Sequence, residues 1–306
     1  MRLAVLSIAS LASACLGPRG PELPPDVGTS HAGGTRRAEA EQPPEAPARP
    51  VEVGTPVWAN FHDSGFYFHG VVVERRGDVH RVIYGDGASE WLPASALLPD
   101  ALADDAQVHV RPSVEGEFGS ATIARRLGNA VYVRLASGDE RWTALPHVRF
   151  QAGAPGTPRR DQEPLATGPV PSGEIGSDVL VDYQMQGLRF AATVTAHRED
   201  GRVHVVYLDG ESEWTPRETI SPENVGPGTV VHVRRSWEPP VWVRGTVRER
   251  YGQALRVELD DGGIAWTTML RIRVPSPEPV PAAAPPAEPE APPEPARARE
   301  PRRRRR

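Results

Sequence analysis

The sequence predicts an all-β protein of four small barrels arranged as two tandem pairs. Three observations carry this. The first is a distribution: of 34 prolines, 24 fall in segments 1–50, 152–176 and 274–306, whereas all 19 Trp, Tyr and Phe lie in 51–151 and 177–273. Segments rich in Pro and without aromatics cannot bury enough apolar surface to offset chain entropy, so the two aromatic blocks hold the cores. The second is an internal repeat. Gly-x-x-x-Trp recurs at Gly87 and Trp91, Gly138 and Trp142, Gly210 and Trp214, and Gly262 and Trp266, with a further glycine 13 or 14 residues before each Trp (Gly77, Gly128, Gly201, Gly252). The third is the pattern between those glycines. Leu255, Val257 and Leu259 alternate with Arg256 and Glu258, a period of two that no helical period challenges.

Each element of a repeat follows from these signals. Val71-Val72-Val73 is a strand, Gly77 turns it, a second strand ends at Tyr84, and Asp86-Gly87 turns the chain into a strand carrying Trp91. The same order holds around Val194, Asp200-Gly201, Tyr207 and Trp214. The steps between the tryptophans are 51, 72 and 52 residues. The excess in the middle step is the Pro-rich segment, which places repeats at 51–100, 101–151, 177–224 and 225–273 around a disordered linker at 152–176, with a disordered tether at 15–50 and a disordered tail at 274–306. Repeats one and three share Tyr84-Gly85-Asp86-Gly87 and Tyr207-Leu208-Asp209-Gly210; repeats two and four share Val108-His109-Val110-Arg111 and Val231-His232-Val233-Arg234. Both motifs recur at an offset of 123 residues, as duplication of a two-repeat ancestor would leave them. Units of this size bury little surface alone, so the two barrels of a pair are expected to lean on each other.

Composition narrows the function classes. The single Cys excludes an intramolecular disulfide and a Cys-based zinc site. All 35 basic residues are Arg, yet the formal net charge is −5, so the chain lacks the overall basic excess of a nucleic-acid binder. Met1-Arg2 followed by an apolar run from Leu3 to Ala14 has the layout of a secretory signal over 1–14. Because the lone Cys15 stands directly after Ala12-Ser13-Ala14, the segment resembles a bacterial lipoprotein signal. That resemblance implies export, cleavage before Cys15, lipidation of its thiol and anchoring to a membrane of the cell envelope, with residues 16–50 as a solvated tether.

Val57-Trp58-Ala59-Asn60-Phe61, Gly65-Phe66-Tyr67-Phe68 and Tyr84-Gly85-Asp86-Gly87 together resemble a Tudor domain, an SH3-like barrel. Tudor domains that bind methylated Lys or Arg do so in an aromatic cage, where ring faces attract a weakly hydrated cation. By the matched motif the resemblance implies a cage of Phe61, Phe68, Tyr84 and Asp86 in repeat one, and of Tyr183, Phe190, Tyr207 and Asp209 in repeat three. Repeats two and four depart from it. They have Pro112 and Arg235 in the place of Phe61, and Leu135 and Leu259 in the place of Tyr84, so one binding and one supporting repeat per pair are expected. A plainer reading of the same residues stands beside this: Tyr84 is in register with the inward row of Leu259, so Tyr84 and Tyr207 would plug the barrel ends. The four repeated tryptophans occur with or without a cage, which points to packing.

No spacing of nucleophile, base and acid suggests catalysis. His62 and His69 lack a third metal ligand, His109 and His232 recur with the repeat itself, and Asp260-Asp261-Gly262 lacks the remaining acids of a calcium loop. No enzyme activity, cofactor or metal is expected. Two readings fit the C-terminus, ending in Arg302, Arg303, Arg304, Arg305 and Arg306: a sequence-blind electrostatic surface for an anionic polymer, or a solvated tail with no dedicated partner. The expected function is that of an envelope-anchored binding protein for a cationic or methylated peptide. Two other readings are a structural or assembly lipoprotein without a small ligand, and a cytosolic nucleic-acid or chromatin reader; nucleic acid is not expected as a partner of an exported chain.

Overall fold

The computed structural model describes residues 51–113, 116–165 and 170–276. The signal, Cys15, the tether and the Arg-rich end lie outside them. Repeat one supplies β1 (Pro56–Asn60), β2 (Phe66–Arg76), β3 (Val79–Tyr84), β4 (Ser89–Pro93) and β5 (Leu97–Pro99). Repeat two supplies β6 (Gln107–Val110), β7 (Gly119–Leu127), β8 (Ala130–Leu135), β9 (Glu140–Ala144) and β10 (Val148–Gln151). Repeat three gives β11 (Asp178–Asp182), β12 (Leu188–His197), β13 (Arg202–Tyr207), β14 (Ser212–Pro216) and β15 (Ile220–Pro222). Repeat four gives β16 (Val230–Ser236), β17 (Val241–Tyr251), β18 (Ala254–Leu259), β19 (Ile264–Thr268) and β20 (Ile272–Pro275). The eight repeated glycines all take positive φ, between 53° and 92°, the region that a side chain disfavours and a tight turn requires.

Each barrel closes because its second strand bends. A bulge falls at the same place in all four, between Val72 and Glu74, Ile123 and Arg125, Val194 and Ala196, and Val247 and Glu249. Bulges sharpen the local bend and twist, so β2 pairs with β1 through its first half and with β3 through its second. Opposite Tyr84, Leu135, Tyr207 and Leu259 stand only small residues, Gly70, Ala121, Ala192 and Gly245. A Cβ on Gly70 would lie 2.8 Å from the Ile83 carbonyl oxygen.

The two barrels of a pair share one ten-stranded antiparallel sheet. β10 pairs with β6 on one edge and with β2 of the other repeat on its second edge; β20 does the same between β16 and β12. As a result β1 is buried on both faces. Val57 and Ala59 enter the core of barrel one with Val72, Val82 and Tyr84. Trp58 turns the other way, its ring 5.0 Å from that of Phe150, which in turn stacks on Tyr67 at 5.4 Å. Asp100 fastens the seam. It accepts two hydrogen bonds from Arg126 at 2.7 Å and one from Trp58 Nε1 at 3.1 Å, and His69 stands 3.5 Å away. Burial alone would raise the Asp100 pKa, but His69 and Arg126 outweigh it and hold the carboxyl well below the usual range. Glu223 and Arg250 repeat the two-pronged pair in the second half.

The pairs also join each other. Thr268 Oγ1 donates to the Gly85 carbonyl at 2.6 Å and Arg271 Nη1 to the Asp86 carbonyl at 2.9 Å. On the other side His147 Nε2 meets the Leu208 carbonyl at 3.1 Å and Asn129 Nδ2 donates to Asp178 at 2.9 Å. Val71, Val73 and Ile83 of repeat one pack against Ala254, Tyr251 and Trp266 of repeat four. Each barrel therefore touches two others.

One expectation needs correction. The linker is not disordered where it is described: Pro155 accepts from Gln107 N at 2.9 Å, Leu165 N donates to Asp100 O at 2.9 Å, Gly176 N donates to Val194 O at 2.8 Å, and Thr157 is buried. Its turns satisfy open strand edges, which composition does not reveal. The repeated tryptophans pack as expected, at the surface of the barrels. Trp91 and Trp214 lie on the outer face beneath Arg76 (4.4 Å) and Arg198 (4.1 Å), Trp142 stands beside Tyr132 at 5.1 Å, and Trp266 stacks on Tyr251 at 5.9 Å.

Candidate functional site: aromatic clusters in repeats one and three

In repeat one the chain leaves β1 through a 3-10 turn, Phe61–Asp63, in which His62 and Asp63 both take positive φ, 50° and 53°. Gln184 and Met185 do the same in the turn Tyr183–Met185 of repeat three, at 53° and 55°. Left-handed backbone at non-glycine residues costs about 1–3 kcal/mol each and persists only where the surroundings enforce it. Here Asn60 Oδ1 accepts from Gly65 N and Asp182 Oδ1 from Gly187 N, both at 2.9 Å, closing the loop in the same way. The strained turn aims the first aromatic residue over the barrel end.

The predicted residues of repeat one meet. Phe61 lies 5.2 Å from Tyr84 at 87° and 5.7 Å from Phe68 at 69°, and Phe68 lies 6.4 Å from Tyr84 at 84°. Three rings set nearly at right angles can wall three sides of a small volume. They line a concavity of about 60 Å³ together with Asp86. In repeat three Tyr183 stands 6.3 Å from Phe190 at 86° and 5.8 Å from Tyr207 at 83°. Phe190, Tyr207 and Asp209 line a concavity of about 50 Å³ there, with Tyr183, 37% exposed, at its side.

The plainer reading of Tyr84 holds for its burial. Tyr84 and Tyr207 are each 4% exposed and belong to barrel cores, whereas Phe61, Phe68 and Phe190 are half-buried. The Tyr84 hydroxyl donates to Glu90, and the Tyr207 hydroxyl to Glu213 at 2.6 Å. Burial, then these carboxylates, push both phenols far above their ordinary pKa, so they stay neutral. Glu90 also accepts from His62 N at 3.3 Å, tying the turn that carries Phe61 to the ring of Tyr84. Asp86 and Asp209 each accept a backbone N–H of their own turn, from Ala88 at 3.0 Å and Glu211 at 3.1 Å.

Sequence reasoning passed over Glu90 and Glu213, although a signal existed: Ser-Glu-Trp occurs only in the two repeats with an aromatic cluster, while Arg141 and Ala265 precede the tryptophans of the others. It also passed over the companion repeat. Arg111 and Pro146 complete the first concavity, and Arg234, Trp237 and Trp242 the second. Burial draws the Arg111 guanidinium pKa down, Asp86 opposes this and Arg149 adds to it. Repeats two and four thus wall the sites of their neighbours, more than the supporting role expected of them. Leu135 and Leu259 take the register of Tyr84 and build no cage of their own.

No family model matches the chain, and no curated protein matches it. Among solved structures it is similar to the four MBT repeats of Drosophila melanogaster Sfmbt in complex with the peptide RHR(me)KVLR, at 11% identity over 74% of this chain and 88% of that one, with a TM-score of 0.17. At that score the likeness adds nothing to the fold described above.

Proposed function

We propose that the protein acts by binding, and that the ring cluster of Phe61, Phe68 and Tyr84, with Tyr183, Phe190 and Tyr207 as its second copy, receives a methylated cationic side chain of a peptide. One observation carries the reading: three near-perpendicular rings and a carboxylate line one concavity whose edge ring, Phe61, sits on a strained loop. Each ring face contributes about 0.5–2 kcal/mol to a cation, and two such sites in one chain allow avidity for a ligand that presents the group repeatedly. The reaction class is recognition without bond chemistry. The Cys15 context supports placing the protein outside the cytoplasm on a lipid anchor, where exported proteins or surface polymers are the ligand pool; mass analysis of the native N-terminus tests that address.

The ligand chemistry is tested by titrating two peptides, one with trimethyllysine and one with its neutral tert-butyl isostere. A cage that works through ring quadrupoles prefers the cation severalfold or more. Equal affinity for the two would reduce the site to an apolar contact.

A further inference from the structure

We propose that the peptide recognised by this cage carries an acidic residue within two positions of the methylated one, read by Arg149 in the first pair and by Arg273 in the second. The inference rests on the cage reading above and extends it to the ligand's flank. Arg149 is the cross-strand neighbour of the cage residue Phe68, where β10 joins β2. Its guanidinium is held between two rings, 4.2 Å from Phe66 and 4.0 Å from Phe118, and lies 5.9 Å from Phe68 itself. Rings on both faces leave a guanidinium its in-plane N–H groups, the geometry that takes a carboxylate with two parallel hydrogen bonds.

Such a carboxylate is what the protein withholds. Arg81, Arg126, Arg250 and Arg256 each pair with an acid of their own repeat pair, but among the described residues Arg149 has neither an ion pair nor a hydrogen-bonding partner, and its Nε is buried without one. Arg273 holds the same place in the second pair. It stacks 4.3 Å from Trp242, a lining residue of the second concavity, and its Nε is likewise buried and unpartnered. The stacking ring differs between the pairs, Phe118 against Trp242, while the cation is the same. A peptide in extended form rises about 3.3 Å per residue, so a side chain one or two positions from the caged residue spans the 5.9 Å between ring and guanidinium.

The test uses three trimethyllysine peptides of equal length, flanked within two positions by Glu, by Gln or by Ala, titrated into the full chain. The Glu peptide is expected to bind about tenfold tighter than the Gln peptide, the size of one charge-assisted contact. In the double variant Arg149→Gln and Arg273→Gln, with its thermal midpoint checked, that ratio falls to about one. Equal binding of Glu and Gln peptides by the wild type overturns the proposal, as does a preference that survives in the variant. A fourth peptide, acidic but unmethylated, separates the two readings: binding that Arg149→Gln removes keeps the anion site and discards the cage, and no binding by any peptide overturns both.

Discussion

His147 Nε2 stands 3.1 Å from the Leu208 carbonyl and, with Asn129, carries the second repeat onto the third. Arg271, in the corresponding 3-10 turn of the fourth repeat, makes the matching contact with Asp86 of the first. One junction between the pairs therefore includes a permanent cation and the other a titratable ring. His147 is fully buried; burial first, then Arg111 and least Arg141, pull its pKa down to about 4, while the backbone of Leu208 and Ser113 opposes them.

The pH consequence has a definite sign. Between the unfolded value of 6.5 and the folded value of about 4, the unfolded chain binds a proton at His147 that the folded chain refuses, so this residue lowers stability as pH falls through that window, by up to about 3 kcal/mol. Asp178 opposes it. Burial raises its carboxyl to about 6, so its folded form takes up a proton first and gains stability as pH falls from 6 toward 4. Urea unfolding at pH 7 and pH 4.5 is expected to show His147→Gln gaining on the wild type at the lower pH and Asp178→Asn losing ground to it.

Removing Arg126 leaves Asp100 buried without its strongest partner. Arg126→Ala is expected to cost about 3–5 kcal/mol in chemical unfolding. The exposed pair of Arg134 and Glu140 is the control, where Arg134→Ala should change stability by less than about 1 kcal/mol.

Gly70→Ala places a methyl 2.6 Å from Val82 Cγ1 and 2.8 Å from the Ile83 carbonyl oxygen, inside the bend that closes barrel one. A loss of about 1–3 kcal/mol is expected in thermal unfolding. At Gly119 the added Cβ meets nothing within 4 Å and φ is not positive; Gly119→Ala should be neutral or slightly stabilising.

Much of the fold was legible because its signals are local. Glycines four residues and 13 or 14 residues before each tryptophan imply turns, and alternation between them implies strands. The rings of the site were legible because Phe61, Phe68 and Tyr84 sit at fixed places of one repeat. What sequence did not disclose is set by contacts between repeats. Arg111 reaches the first concavity from another barrel, Arg149 meets Phe66 only when β10 joins β2, and the linker is ordered by strand edges it meets far along the chain.

The central claim is that the ring clusters bind a methylated cation. Phe61 and Tyr183 test it best, since they lie on loops and their removal spares the buried Tyr84 and Tyr207. Calorimetric titration of a trimethyllysine peptide into the wild type and into the double variant Phe61→Ala, Tyr183→Ala should show binding that weakens by roughly tenfold in the variant, a ring's worth of cation attraction at each site, with an unchanged thermal midpoint. Undiminished affinity in the folded variant, or no binding by the wild type, would contradict the account.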